Sequence, residues 1–208
     1  MARRITFLAS IAILALGVVA ASSAQAAYVV TFEEVGSTVV ETGSGMVDPT
    51  DLTSTAFGTN EERVSAGSAT YFSGGAGAIE HEFSGDISGP ANWGPGTPSP
   101  ALPSSSSGAG VGFESPAMGI WVPFRHVLGQ PLSETSTYSD ASFGSLGMTP
   151  GTYVYSWGTG AHADTFTIEI GVPEPSTWAM MLLGFAGLGV SGCRRSERVL
   201  GQNASLTI

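Results

Sequence analysis

The sequence predicts an all-β fold, an antiparallel and jelly-roll-like β-sandwich, with an N-terminal signal helix and a single C-terminal transmembrane helix. Seven short runs rich in Val, Ile, Thr, Tyr and Phe are each bounded by Gly, Pro, Asn or Ser, which is the pattern of β-strands between turns. No stretch of ten or more residues in the body repeats its apolar residues with the 3.6-residue period of a helix. Glycine makes up 29 of the 208 residues and charged residues only 12%, as in turn-rich β proteins.

The predicted strands lie in the body of the chain, residues 27–171. They cover residues 28–32, 38–42, 68–72, 78–83, 119–124, 152–157 and 164–170. Because side chains alternate between the two faces of a strand, every second residue in these runs is expected to face the core. The expected inward residues are Val30, Phe32, Phe83, Ile120, Val122, Tyr153, Tyr155, Trp157, Phe166 and Ile168.

The first 26 residues have the pattern of a secretory signal peptide. Arg3 and Arg4 precede a long apolar run, and Ala24-Gln25-Ala26 supplies a small-residue cleavage site. We therefore expect export through the general secretion machinery and cleavage by signal peptidase after Ala26. A permanent N-terminal membrane helix is the alternative.

A second apolar run, residues 178–193, lies near the C-terminus. As a helix it would be about 24 Å long, which is shorter than the bilayer core but can span it by local thinning. Trp178 begins the run, and Arg194 and Arg195 follow it, so the positive-inside rule places the arginines in the cytoplasm and the body outside. An amphipathic core helix is the alternative, although no polar face is present over 179–190.

Immediately before this run stand Pro173, Glu174 and Pro175, which hold the backbone extended and exposed. The order of a Pro-Glu-Pro box, a short glycine-rich apolar helix and a basic pair over 172–195 resembles the PEP-CTERM sorting signal. The resemblance implies recognition of the Pro-Glu-Pro box by an exosortase, a membrane cysteine protease of Gram-negative bacteria that also make exopolysaccharide. Residues 196–208 extend as a short cytoplasmic tail beyond the point where that family usually ends.

The resemblance implies a route as well as a partner. We expect transient anchoring in the inner membrane, processing by the exosortase, and delivery to the cell envelope, cell surface or extracellular polysaccharide matrix. On this basis the protein is expected to be a non-enzymatic surface or matrix protein, with the exopolysaccharide of a biofilm as a partner.

The body is strongly acidic. Between residues 27 and 173 it holds fifteen of the seventeen acidic residues and only two arginines, Arg63 and Arg125, for a formal charge of −13. Such a surface repels phosphate backbones, which excludes nucleic acid as a partner. A segment rich in Gly, Pro and Ser, about residues 84–112, predicts a long loop within this body.

The body has few candidate catalytic or metal-binding residues. His81, His126 and His162 stand in separate segments, and on an alternating strand His81 points away from Glu80 and Glu82. No cofactor is expected; the alternative is a calcium ion at the carboxylates of Asp48 and Asp51.

Two other functions stay open from the sequence. A carbohydrate- or calcium-binding module would need an exposed Trp93 or Trp121, or a carboxylate cluster around Asp48. A hydrolase would need one of the histidines within hydrogen-bond reach of Asp, Glu or Ser in a cleft.

Overall fold

A computed structural model describes residues 27–75, 77–115 and 119–171. The predicted signal peptide at 1–26, the sorting and anchor segment at 172–195 and the tail at 196–208 lie outside the described residues. In the described ranges, no helix has the length and apolar character needed to cross a membrane.

The described residues form twelve β-strands and two short 3-10 helical turns, joined by loops. The strands are β1 (Ala27–Val35), β2 (Thr38–Gly45), β3 (Thr53–Gly58), β4 (Arg63–Ser65), β5 (Thr70–Ser73), β6 (Glu80–Ser84), β7 (Ser105–Gly108), β8 (Val111–Glu114), β9 (Gly119–Pro123), β10 (Leu132–Ser139), β11 (Gly151–Trp157) and β12 (Asp164–Ile170). They form two six-stranded sheets. Sheet 1 has the order β11-β12-β1-β2-β10-β7, and sheet 2 has the order β3-β6-β9-β8-β5-β4.

The two sheets share one hydrophobic core, as the prediction of a β-sandwich requires. Side chains of sheet 1 such as Phe32 and Phe166 pack with Tyr71 and Phe113 of sheet 2. Eight of the ten predicted inward residues are buried, and the other two, Phe83 and Tyr153, are half-buried and packed against the same core. The period-two pattern therefore identified the core correctly.

One strand pair differs from the antiparallel, jelly-roll-like arrangement that the sequence predicts. β1 pairs in parallel with β12, with Tyr28 opposite Phe166 and Phe32 opposite Ile170, whereas the other described pairs are antiparallel. Hairpins force neighbouring strands to be antiparallel, but β1 and β12 are the first and last strands and no hairpin joins them. Sheet 1 is consequently a mixed sheet.

Five strands were not predicted: β3, β4, β7, β8 and β10. Their sequences carry a weak apolar signal; β7 reads Ser-Ser-Ser-Gly, and the inward face of β10 consists of Glu134, Ser136 and Tyr138. Two of these inward residues are polar because they enter a buried hydrogen-bond network instead of an apolar core.

The segment predicted as a long loop, 84–112, is packed into the fold. It contains β7 and the start of β8, and Ser88 forms a bridge with Ser156 of β11. Trp93 is fully buried, and its indole Nε1–H donates a hydrogen bond of 2.7 Å to the Tyr155 hydroxyl. Because the segment contributes its own large apolar side chain, it is held by burial despite its Gly, Pro and Ser content.

Candidate functional site

Two carboxyl groups, those of Glu41 and Glu134, meet in the buried space between the sheets. Glu41 lies on β2 and Glu134 on the adjacent strand β10, and both side chains are almost completely inaccessible to solvent. Tyr71, from the opposite sheet, places its hydroxyl between them at 2.8 Å from Glu41 Oε1 and in hydrogen-bond contact with Glu134 Oε1. The arrangement links the two sheets through polar groups.

The hydrogen atoms available at this site require a proton on the carboxyl pair. The Tyr71 hydroxyl has one hydrogen but contacts a carboxyl oxygen of both Glu41 and Glu134, so one of these contacts needs a hydrogen from a protonated carboxyl. Tyr28 donates to the other oxygen of Glu134, and Ser73 donates to Glu41 Oε2 at 2.7 Å.

The raised pKa values of Glu41 and Glu134 also indicate that the pair retains a proton. Burial, together with the nearby charge of Glu41, raises the pKa of Glu134 to about 8. Burial also raises the pKa of Glu41, against the opposing effect of its hydrogen bonds. Because ionising both buried carboxyl groups would place two negative charges close together and away from water, the pair holds a proton at neutral pH. Sequence reasoning missed the site, although Glu41 follows Val39 at the inward spacing of strand β2.

Asp48 and Asp51, the weak calcium candidates, are occupied by protein hydrogen-bond donors. Asp48 Oδ1 accepts from the amide of Thr50 at 2.9 Å, and Asp48 Oδ2 lies 3.0 Å from His162 Nδ1. Asp51 Oδ2 accepts from the amide of Thr159 at 2.9 Å. Across 27–75, 77–115 and 119–171, no three metal-ligating side chains come together.

The pairing of Asp48 with His162 shifts the pKa of both groups. Burial opposes the change at Asp48, but hydrogen bonds from Thr50 and His162 lower the pKa of this carboxyl. The hydrogen bond that His162 Nδ1–H donates to Asp48 raises the pKa of His162, a solvent-exposed side chain. The two groups form a surface ion pair when the histidine is protonated.

A cleft of about 590 Å³ lies beside Ala163, the neighbour of His162 in the chain, and Ala27 at the start of the body is part of its lining. Its lining includes Ala27, the residue after the predicted cleavage site, and the carboxylates of Asp51, Asp86 and Asp164. Burial raises the pKa of Asp164 to about 6, against the hydrogen bonds that its carboxylate accepts from backbone amides.

A second cleft, of about 360 Å³, lies where β3, β6 and β9 face the loop after β9. His81 pairs across the sheet with Val122 and with Phe57, and its ring stacks on Phe57 at 4.1 Å between centroids. Its Nε2 lies 2.6 Å from Ser54 Oγ, and burial lowers the pKa of this histidine. Glu80 and Glu82 pair with Pro123 and Trp121 on the other face, as the alternation predicts.

The loop after β9 supplies the basic side of this second cleft. Arg125 and His126 line it, and His126 Nε2–H donates to the Val47 carbonyl at 3.0 Å. Phe124 packs edge-on against Phe57 at 5.6 Å between ring centroids.

The tryptophans considered for sugar binding are all part of the packed interior. Trp93 is fully buried, and Trp121 and Trp157 are 9% and 3% exposed. Trp121 packs against Phe72, and the Trp157 indole N–H donates to the Asp48 carbonyl at 2.8 Å. The exposed Trp93 or Trp121 that a carbohydrate-binding module would need is therefore not present, because both rings serve as packing groups.

The predicted sorting residues Pro173, Glu174, Pro175, Trp178 and Arg194-Arg195 lie outside the described residues, as do Ala24 and Ala26. The structure does define the point from which the sorting segment leaves the body. β12 ends at Ile170, and the amide of Gly171 donates to the Phe32 carbonyl at 2.9 Å. The segment thus begins directly at the end of an interior strand of sheet 1.

Comparison with known protein families gives a match that falls on that segment. The family described as the PEP-CTERM protein-sorting motif matches residues 171–195. Neither the curated proteins nor the solved structures contain a match to this chain. The chain carries a PEP-CTERM protein-sorting motif behind a β-rich body, and that motif implies an exported protein that is targeted to an exosortase.

Proposed function

We propose that this protein is a non-enzymatic component of the cell surface or of the extracellular polysaccharide matrix, delivered there by exosortase processing. The observation that carries the proposal is the sorting motif at 171–195, which starts one residue after the last strand of the body. In this arrangement Pro173, Glu174 and Pro175 are the recognition element, and Trp178, Arg194 and Arg195 hold the substrate in the membrane.

The start of the body supports the export step. Ala27, the first described residue, already lies in strand β1 opposite Thr165. Signal peptidase cleavage after Ala26, with Ala24 and Ala26 as the small residues it recognises, would leave this first strand whole. The body then follows without an intervening linker.

The experiment compares the intact mass and location of the protein in a host with and without its exosortase. Loss of the C-terminal segment only when the exosortase is present is the expected result. Glu174→Gln tests the recognition element, because it removes the carboxylate of the Pro-Glu-Pro box. Glu169→Gln is the matched control, because it removes one carboxylate from β12, outside that box. Persistence of the segment in both hosts would overturn the processing step and leave a single-span membrane protein.

One observation favours a hydrolase as a second candidate. Ser54 Oγ and His81 Nε2 are 2.6 Å apart in a cleft, which is the spacing of a nucleophile and its base. In the described chain, no carboxylate hydrogen-bonds to the other ring nitrogen of His81, so the orienting member of a triad is not supplied. Assay of short-chain esters with the wild type and Ser54→Ala separates the candidates: turnover abolished by Ser54→Ala would establish the hydrolase.

We propose that the protein needs no cofactor, calcium included. The support is that both carboxylate oxygens of Asp48 and Oδ2 of Asp51 accept hydrogen bonds, from Thr50, His162 and Thr159. Removal of divalent cations by a chelator should leave the thermal unfolding temperature unchanged, and a rise on adding Ca²⁺ would contradict the proposal.

A further inference from the structure

The charge of the second cleft is opposite to that of the body around it. The body carries a formal charge of −13, yet the lining of this cleft contains no acidic residue and holds the positive charge of Arg125 beside two imidazoles, those of His81 and His126. Burial lowers the pKa of His81 and favours its neutral form, so Arg125 supplies the charge. The cleft thus collects one of the two arginines and two of the three histidines of the body. A local positive site in an acidic protein attracts a negatively charged ligand.

Arg125 is presented to solvent. Its side chain is exposed and forms no ion pair with any residue of the described ranges, whereas Arg63 pairs with Glu114 at 3.1 Å. Its backbone φ is +70°, which is uncommon for a residue other than glycine. The turn is fixed on each side by the hydrogen bonds of Phe124 to Ile79 and of His126 to Pro123. These bonds position the Arg125 backbone beside the cleft, and the exposed guanidinium can bind a carboxylate with two parallel hydrogen bonds.

Aromatic rings stand beside the guanidinium. Phe57 and Phe124 are 58% and 45% exposed and pack edge to face, and the Arg125 guanidinium carbon lies 5.6 Å from the Phe124 ring centroid. Neither ring lines the cleft itself, but Phe57 stacks on the lining residue His81, and Phe124 precedes Arg125 in the chain, so the two rings form an exposed apolar surface beside the cleft. They offer flat apolar faces to the C–H face of a ligand ring.

The cleft also contains hydroxyl groups and has the size of a small-molecule site. Thr50 and Ser54 line it with hydroxyls that hydrogen-bond to Asp48 and His81 and keep capacity to accept a hydrogen bond from a ligand. Its volume of about 360 Å³ falls within the range of ligand pockets. A ligand that matches it has a ring with an apolar face, several hydroxyls and a carboxylate. These are the features of an acidic sugar.

We propose that this cleft binds a uronic-acid residue of an acidic polysaccharide, with its carboxylate on Arg125 and its ring against Phe124 and Phe57. The proposal depends on the proposed function in one respect, the delivery of the body to a polysaccharide-containing environment. Binding itself does not require processing by the exosortase. A failure to bind therefore leaves the sorting step standing, and a failure of sorting leaves the binding measurable.

The test is calorimetric titration of the detergent-solubilised full chain with polygalacturonate and with its methyl ester, which keeps the ring and removes the charge. The expected result is binding to polygalacturonate that weakens as salt is added, and about tenfold or more weaker binding to the methyl ester. Arg125→Gln and Phe124→Ala should each weaken binding by about tenfold.

Arg63→Gln is the matched control, because it removes the other arginine of the body from a site on β4. It should bind polygalacturonate as the wild type does. Equal binding of the ester and the acid, unchanged binding by Arg125→Gln, an equal loss in Arg63→Gln, or no binding of polygalacturonate would each overturn the proposal. Circular dichroism and an unchanged unfolding midpoint establish that the variants are folded.

Discussion

Glu41 and Glu134 place their carboxyl groups on the same tyrosine hydroxyl, that of Tyr71, in the space between the two sheets. The pair joins strands β2 and β10 of sheet 1 to β5 of sheet 2. A single proton must be retained for all of these contacts to be hydrogen bonds. The stability of the body is consequently tied to pH.

Glu134→Gln is expected to remove much of this pH dependence. In the folded chain the pKa of Glu134 is about 8, against an ordinary value of 4.5, so between these values the folded state holds a proton that the unfolded state has lost. The free energy of unfolding of the wild type should therefore fall as pH rises through this range, by up to about 1.4 kcal/mol per pH unit. The variant should exceed the wild type in stability above about pH 8 by roughly 1–3 kcal/mol.

The measurement is the urea midpoint of both proteins at several values from about pH 5 to about pH 9. Glu33→Gln is the control, because Glu33 is exposed on β1 and its substitution should leave the change of midpoint with pH as it is in the wild type. A wild-type midpoint that is flat with pH, or equally sloped in Glu134→Gln, would show that the pair does not hold the proton.

Trp93→Phe tests whether the 84–112 segment belongs to the cooperative fold. The substitution keeps most of the buried ring but deletes the hydrogen bond to Tyr155, leaving that hydroxyl with the Pro90 carbonyl as its acceptor. The substitution is expected to lower the free energy of unfolding by about 1–2 kcal/mol. The control is Leu102→Ala, at an exposed position of the same segment, which should change this free energy by about zero. Chemical denaturation followed by fluorescence provides the measurement. An unchanged midpoint in Trp93→Phe would mean that the segment unfolds independently of the sheets.

The contrast between Trp93 and Phe166 shows what the sequence could predict. Phe166 stands in a run of alternating apolar residues, and the period-two rule assigns it correctly to the core. Trp93 stands between Gly and Pro residues without periodicity, and only the tertiary packing reveals that it is buried. Strands β7 and β10 escaped prediction for the same reason. Ser106 of β7 hydrogen-bonds to Ser136 of β10, and Glu134 of β10 to two tyrosines, in a network that no local pattern encodes.

The candidate sites show a similar division. The sorting residues form one contiguous run, so the sequence alone identified the motif that the family match confirms. The second cleft joins Ser54, His81 and Arg125 from three separate segments, and their proximity depends on strand pairing that includes a register shift between Ser54 and Ala56. No spacing rule along the chain could have placed them together.

The pairing of His162 with Asp48 should be visible in its titration. We expect an NMR-monitored pKa for His162 above the usual histidine value, returning toward that value in Asp48→Asn. Because the folded pKa is raised, the stabilisation from this pair is complete below about pH 6.5 and is lost as pH rises through the folded pKa. The resonance of His81, whose pKa is lowered by burial, is the internal control and should not respond to Asp48→Asn. An unshifted His162 in the wild type would contradict the pairing.

Cleavage after Ala26 is expected to stabilise the body through Asp164. Ala27 and Asp164 line the same cleft, and Ala27 lies opposite Thr165, the neighbour of Asp164 in the chain. A new α-ammonium group at Ala27 would add a positive charge close to a carboxylate whose pKa burial raises to about 6. An opposite charge lowers the pKa of a carboxylate and favours its ionised form.

The prediction compares a chain that begins at Ala27 with one that keeps a short neutral extension before it. The shorter chain should have the higher urea midpoint at about pH 7, where the amine is charged and Asp164 is ionised. The difference should shrink above about pH 8, as the α-amine loses its proton. Asp164→Asn should remove most of the difference, whereas Asp140→Asn, at a position outside this cleft, should retain it. Equal midpoints for the two chains at about pH 7 would mean that cleavage serves export without contributing to the stability of the fold.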